Sequence, residues 1–177
     1  RIVFTRNKTD IFPTEAEPHY KTPKYVILAT NSHKHFIKLY TSTNKETNVD
    51  MAKTFLNTTS TLGAQTNNVL KVYDMAEHAP VVTLLIDSYS ADVDTLLARR
   101  HFITNMDIFR LVYQTCKCLH QMALSGLNGF ELTTEKVVLD ANGNYKVTHF
   151  DKILTERSGS EYGESMGLLS RDLAPEY

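Results

Sequence analysis

The feature of this sequence that most constrains its fold is the stretch of residues 127–151, LNGFELTTEKVVLDANGNYKVTHFD. Residues 136–139 and 145–148 are rich in strand-forming side chains, and the run DANGN between them contains an Asn-Gly pair. Strand-forming residues on both sides of such a turn are typical of a β-hairpin. We therefore predict a loop, a short hairpin and then the tripeptide His149-Phe150-Asp151.

A long amphipathic helix is predicted immediately before this stretch. Residues 106–124 carry apolar side chains at helical spacing, Asn105 suits the N-cap and Gly126 suits the end of the helix. We expect its buried face to consist of Ile108, Leu111, Val112, Thr115, Leu119 and Met122. A shorter helix, capped by Asp92 or Asp94, is predicted to precede it.

The N-terminal half of the chain predicts a sheet with one helix. Apolar, strand-like runs occupy residues 2–4, 24–30, 34–41, 69–75 and 80–87. Between the third and fourth of them, residues 49–62 form an amphipathic helical pattern that Gly63 ends. The first run is either a strand or part of an N-terminal arm.

The order of these elements resembles the protein kinase family. The predicted hairpin, the aromatic tripeptide and a later Ala174-Pro175-Glu176 occur in the order of that family's catalytic hairpin, Asp-Phe-Gly and Ala-Pro-Glu. The run 34–41 is similar to the family's Val-Ala-Ile-Lys strand, with Lys38 at the lysine position. The resemblance implies an α+β fold with a five-stranded antiparallel small lobe containing one helix, followed by the first part of a helical large lobe.

The resemblance also implies a division of the chain into domains. Residues 1–24 would be an N-terminal arm or first strand, residues 25–87 the small lobe, and residues 88–177 a partial large lobe with a degenerate catalytic loop and activation segment. Because Ala-Pro-Glu lies at the end of the sequence, we expect a fold truncated after that motif. More sequence or a partner is then expected to cover apolar side chains that later helices of a large lobe would bury: Leu111, Leu119, Leu168 and Leu169.

Almost every catalytic group of the family is replaced in this sequence. Gly129, Phe130 and Glu131 stand at the positions of His-Arg-Asp. Lys136 stands at the position of the metal-binding Asn, and His149 stands at the position of the Asp in Asp-Phe-Gly. Phosphoryl transfer depends on positioned charge, including two magnesium ions held by oxygen ligands. The resemblance therefore implies a kinase fold without the kinase reaction.

The predicted nucleotide site is degenerate as well. The sequence has no glycine before Gly63, so it lacks a Gly-rich phosphate-covering loop. Phe36 stands at the alanine position of the Val-Ala-Ile-Lys strand and is expected to block the adenine pocket. No acidic residue lies between Asp50 and Asp74, so the helix 49–62 offers Lys38 no glutamate. Lys38 is then either a retained site residue or a strand lysine that extends to solvent along its aliphatic stem.

Composition limits the classes of partner and ligand that we expect. The net charge of −1 gives no electrostatic reason to expect a nucleic acid or an anionic membrane, and no apolar run approaches the length of a membrane span. No histidine pair has a metal-ligand spacing, and Cys116 and Cys118 are two apart in a helical pattern, so we expect no metal site, no cofactor and no disulfide. This cysteine usage favours a reducing, cytoplasmic location.

These observations predict a catalytically inactive pseudokinase that acts as a protein-binding regulatory or scaffold module. One alternative is a structural subunit of a large assembly, built on a truncated kinase fold. A second is a divergent, metal-independent active kinase that uses Lys38, Glu131 and His149. In each of the first two cases the partner is another protein or a multi-subunit assembly.

Overall fold

Two units make up the computed structural model: Arg1–Thr61 with Leu70–Ser88, and Leu62–Val69 with Tyr89–Tyr177. The structure describes residues 2–4, 9–11, 18, 20–30, 34–78, 81–99 and 104–155. Within them, antiparallel sheets and helices occur together, which confirms the predicted α+β class.

The first unit contains a two-stranded sheet, a five-stranded sheet and one long helix. In chain order its elements are β1 (Ile2–Phe4), β2 (Thr9–Ile11), β3 (Tyr20–Lys21), β4 (Tyr25–Ala29), β5 (His35–Tyr40), helix α1 (Lys45–Gly63), β6 (Val72–His78) and β7 (Val81–Asp87). The larger sheet has the order β3-β4-β5-β7-β6, with every neighbouring pair antiparallel. The predicted pairing of the two strands before α1 is thereby confirmed.

One of the five strands predicted for this sheet does not belong to it. Strand β1 pairs instead with β2 in the separate two-stranded sheet, with Ile2 opposite Ile11. The outer position next to β4 is taken by β3, which is only two residues long. The sheet is therefore built mainly from the other four predicted strands.

Strand β5 is the central strand of the larger sheet, and its side chains are buried on both faces. On one face, Ile37 packs in a cluster with Ala76 and Leu85. Because side chains alternate along a strand, Phe36, Lys38 and Tyr40 project from the other face. All three are buried, so this strand is covered on both sides.

The second unit contains the predicted hairpin. Its elements are β8 (Ala91–Asp92), α2 (Val93–Ala98), α3 (Asn105–Leu124), β9 (Leu127–Asn128), β10 (Val137–Leu139), β11 (Tyr145–Val147) and β12 (Leu154–Thr155), and a 3-10 turn, Thr134–Lys136, precedes β10. The hairpin is confirmed, with Val137 opposite Val147 in antiparallel register. Strand β8 pairs with β10 in antiparallel register.

Helix α3 is anchored to the turn of the hairpin through Gln114. Its Oε1 accepts a hydrogen bond from Tyr145 N at 2.7 Å, and its Nε2 donates one to Asn144 Oδ1 at 3.1 Å. Arg110 Nη1 donates to Gly143 O at 3.2 Å. The turn itself is closed by Asp140, whose Oδ1 accepts from the backbone N–H of Asn144 at 2.9 Å.

The start of α3 lies one residue earlier than predicted. Thr104, and not Asn105, is the N-cap, because its Oγ1 accepts a hydrogen bond from Asp107 N while Asp107 accepts one from Thr104 N. This reciprocal pair is a capping box. The hydrogen bonds from Thr104 hold the pKa of Asp107 below its usual value.

The segment Leu62–Val69 belongs to the second unit, although the sequence placed it in the small lobe. Val147 N donates to Asn68 O at 2.8 Å, and Asn68 Nδ2 donates to Tyr145 O at 3.2 Å. Val69, predicted to start a strand of the sheet in the first unit, forms a parallel bridge with Val147. Backbone pairing with the hairpin thus decides where this segment packs.

The predicted buried face of α3 is only partly correct. Thr115 and Met122 are buried as expected, and Cys118 joins them. Ile108 and Val112 are instead 49% and 55% exposed.

In the part of the chain that the structure describes, no helix is both long and apolar enough to cross a membrane.

Substitution of Phe150 tests the core of the second unit. Its side chain is fully buried, so Phe150→Ala should leave a cavity and lower the free energy of unfolding by about 3 to 5 kcal/mol. Phe109→Ala is the matched control, because that ring is 66% exposed. Urea melts of both variants measure the difference, and equal losses would contradict the assignment of Phe150 to the core.

Candidate functional site

The most unusual side chain of the first unit is Lys38, on β5. It is fully buried, and its Nζ lies 4.0 Å from the ring centroid of Tyr25, 4.9 Å from that of Phe55 and 5.0 Å from that of Tyr40. These distances are those of cation–π interactions, in which the negative faces of the rings attract the ammonium. We call these four residues the lysine cage.

The cage overturns one of the two interpretations of Lys38. A strand lysine that extended to solvent would be exposed, and Lys38 is not. Burial of an ammonium is costly unless polar or aromatic groups compensate the lost hydration. The three rings come from β4, β5 and α1, so the cation also joins three elements of the unit.

Phe36 lies on the same face of β5 as Lys38, two residues earlier. It is buried, with 7% of its surface exposed. The proposal that it blocks an adenine pocket stays a prediction.

In the second unit, the loop before the hairpin is closed by Lys136. Its Nζ donates a hydrogen bond to the backbone oxygen of Glu131 at 2.6 Å and lies 5.0 Å from the ring centroid of Phe130. Glu131 and Lys136, two site residues considered in the sequence analysis, therefore lie close together. The hydrogen bond between them uses the backbone carbonyl of Glu131 and not its carboxylate. The ammonium places a positive charge at this point of the loop, which disfavours the binding of a metal cation there.

His149 and Phe150 follow the hairpin and are both buried. His149 has a backbone φ of 60°, in the left-handed region that residues other than glycine adopt rarely. The Phe150 ring lies 4.9 Å from that of Phe130, at an interplanar angle of 37°. The Phe130 ring therefore contacts both the Phe150 ring and the ammonium of Lys136.

The predicted site residues are divided between the units. Lys38 and Phe36 belong to the first unit, and Glu131, Lys136 and His149 belong to the second. Within the described residues, no group of three or more His, Cys, Asp or Glu side chains is arranged to hold a metal ion.

A groove that the sequence did not predict lies along α3 in the second unit, with a cavity volume of about 380 Å³. One wall consists of Leu111, Val112, Thr115, Cys116 and Leu119, and the other of Val93, Leu132, Thr133, Thr134 and Val137. We call it the α3 groove. The signal for it was present: apolar residues on α3 cover more of the helix than one buried face requires.

The two cysteines of α3 differ in their surroundings. Both are free thiols; Cys116 is exposed in the wall of the α3 groove, and Cys118 is buried. Burial raises the pKa of the Cys118 thiol to about 12. Since the thiolate is the reactive form, Cys118 is inert at neutral pH.

A second cluster that sequence reasoning missed lies on β5, β6 and β7. Tyr73 Oη donates a hydrogen bond to Asp87 Oδ1 at 2.6 Å, and the His35 ring meets the Tyr73 ring edge-on at 4.8 Å. Burial, followed by the hydrogen bond to Asp87 and its negative charge, raises the pKa of Tyr73 to about 12. The phenol therefore stays protonated at neutral pH and is a poor nucleophile.

No protein-family model matches this chain, and no curated protein matches it in sequence. Its function must therefore be argued from its own residues.

Truncation of Lys38 tests the lysine cage. Lys38→Ala removes a buried side chain that contacts three rings, so we expect a loss of about 2 to 5 kcal/mol in the free energy of unfolding. Lys38→Met keeps the length of the stem and removes only the charge, which separates packing from the cation–π contribution. Lys53→Ala, at an exposed position of α1, is the control. A Lys38→Ala melting curve equal to that of the control would contradict a structural role.

Thiol labelling tests the difference between the cysteines. At pH 8 we expect one thiol per chain to react rapidly with an aromatic disulfide, and the second to react at least about tenfold more slowly, until denaturant is added. Cys116→Ser should abolish the fast phase, and Cys118→Ser should leave it unchanged. Rapid labelling of both thiols in the native protein would show that Cys118 is accessible.

Proposed function

We propose that this chain is a catalytically inactive, protein kinase-like domain that acts by binding another protein. The observation that carries the proposal is the lysine cage. At the position where a kinase has its phosphate-binding lysine, Lys38 is fully buried against three aromatic rings. We infer that an ammonium packed against three rings does not contact a nucleotide phosphate.

The layout of the first unit supports the kinase-like part of the proposal. Three strands, β3 to β5, are followed by α1 and then by β6 and β7. This order of strands and helix is the one implied for a kinase small lobe by the resemblance around Lys38. The second unit continues with α2, α3, the Lys136 loop and the β10–β11 hairpin, in the order implied for the start of a large lobe.

The chemistry of the second unit supports inactivity. In the kinase layout, Lys136 and His149 replace two oxygen ligands of magnesium. The Lys136 ammonium is hydrogen-bonded to Glu131 O, and His149 is buried. Magnesium prefers oxygen ligands in an octahedral arrangement, so neither side chain suits it. Without metal charge, the reaction loses most of the electrostatic stabilisation of its transition state.

A divergent active kinase would need Lys38 and Glu131 as its working groups. Lys38 is enclosed in the cage, and a carboxylate base at Glu131 has no activated phosphate to serve without a metal or a phosphate-covering loop. This alternative therefore has little support from the geometry.

Helix α3 supports a role in protein binding. Six large apolar side chains on it are about half exposed or more: Met106, Ile108, Phe109, Val112, Tyr113 and Leu124. The rings of Phe109 and Tyr113 are stacked in parallel, 6.0 Å apart. Contiguous apolar surface of this kind is uncommon on monomeric proteins and marks interaction sites. Leu111 and Leu119, expected to need cover, are half-buried in the wall of the α3 groove, while Leu168 and Leu169 lie outside the described residues.

Nucleotide binding tests the proposal. We expect ATP, with or without magnesium, to leave the melting temperature unchanged, because Lys38 is caged and Phe36 occupies the same face of β5. A ligand at a hundredfold excess over its dissociation constant would add about 2.7 kcal/mol, or roughly 5 to 11 °C for a chain of this size. The control is ADP under the same conditions.

A magnesium-dependent rise in melting temperature, together with phosphate transfer that Lys38→Met abolishes, would establish the divergent kinase instead. Lys38→Met is suited to this purpose because it preserves the packing of the stem.

A further inference from the structure

We propose that the α3 groove is the binding site for an amphipathic helix of a partner protein, with apolar anchor residues and a basic edge. This inference rests on the proposed function, because it names the surface and the partner chemistry of a protein-binding domain. It is carried by the length of an apolar stripe on α3 that runs through the groove and past both of its ends, the nature of the two walls and the charge on one rim.

The length of the apolar surface matches a helix rather than a small molecule. One stripe along α3 consists of small and apolar residues spaced three or four apart: Ile108, Val112, Cys116, Leu119 and Ala123. At a rise of 1.5 Å per residue this stripe is roughly 22 Å long. Four turns of a partner helix would cover it.

The two walls form a concave apolar surface. Opposite α3, Val93, Leu132 and Val137 supply apolar side chains, and only Thr133 and Thr134 are polar. Val112 is 55% exposed, so a partner would remove apolar surface from water at the centre of the groove. A helix that presents apolar residues at positions i, i+3, i+4 and i+7 fits such a groove.

The negative charge on the rim of the groove favours a partner helix with a basic edge. Asp94 Oδ1 accepts a hydrogen bond from Thr134 Oγ1 at 3.2 Å, which places this carboxylate beside the groove, and Glu135 follows Thr134 in the chain. Both acidic residues are exposed. The adjacent ammonium of Lys136 is directed to Glu131 O. The rim near Thr134 is therefore acidic, and lysine or arginine along one edge of a partner helix would complement it.

The cations of α3 do not neutralise this rim. Arg110 donates to Gly143 O in the hairpin turn, and Lys117, two turns later, lies on the same side of the helix. A second copy of this chain using the same surface in a two-fold interface would place two acidic rims, and no basic one, in that interface. That repulsion favours a different protein as the partner.

The test is a selection from a display library of four-turn helical peptides against the full 177-residue chain. We expect enriched peptides to carry apolar residues at i, i+3, i+4 and i+7, with lysine or arginine along one edge. Val112→Asp should raise their dissociation constant at least about tenfold, because it places a charge in the apolar groove. His120→Asp is the matched control, since it puts the same charge at an exposed position of α3 outside the groove lining, and it should change binding less than about twofold.

Two further measurements locate the peptide. A bound peptide should slow the reaction of Cys116 with a thiol reagent, since Cys116 lines the groove. Asp94→Asn combined with Glu135→Gln should weaken binding about threefold or more at low salt and less at high salt, as screening predicts. Glu46→Gln combined with Asp50→Asn removes two exposed acidic charges from α1 and should have no effect.

Several results would overturn the inference. They are the absence of enriched peptides, equal effects of Val112→Asp and His120→Asp, or enrichment of peptides without a basic edge. Self-association of the chain that Val112→Asp abolishes, without peptide binding, would assign the groove to a second copy. Protection of Cys116 by a small apolar molecule alone would assign it to a small ligand. None of these results would alter the nucleotide measurements, so the proposed absence of catalysis stands or falls separately.

Discussion

The first unit depends on the burial of one charged side chain. A lysine in the middle of a central strand must lose its hydration, and the protein compensates for this with three aromatic rings around the ammonium of Lys38. Because Phe55 belongs to α1, the same interaction joins the helix to the sheet.

The second unit depends on the hairpin in a similar way. Its turn holds α3 through Gln114, its second strand holds Asn68 and Val69, and its first strand pairs with β8. The loop before it is closed by the ammonium of Lys136 on Glu131 O. In both units, therefore, a lysine ammonium stabilises local structure.

How much of the candidate site could be predicted differs from residue to residue. The expectation that catalytic groups are lost came from residue types alone, because Lys136 and His149 differ chemically from the kinase residues at the matched positions. The sequence did not decide whether Lys38 is a site residue or a solvent-exposed lysine. Strand alternation predicts the face of the sheet from which its side chain projects, but not which segments cover that face. The α3 groove was missed because its second wall, at Leu132 and Val137, is remote in sequence from α3.

The sequence by itself determined the main helices, the longer strands, the hairpin around its Asn-Gly turn and the α+β class, because these follow from local periodicity and turn chemistry. Only the tertiary structure decided which strands share a sheet, as β1 and Val69 show by pairing away from the predicted sheet. It also decided that Ile108 and Val112 remain exposed while Lys38 is buried. The physical reason is that burial depends on contacts between distant segments, which no local pattern encodes.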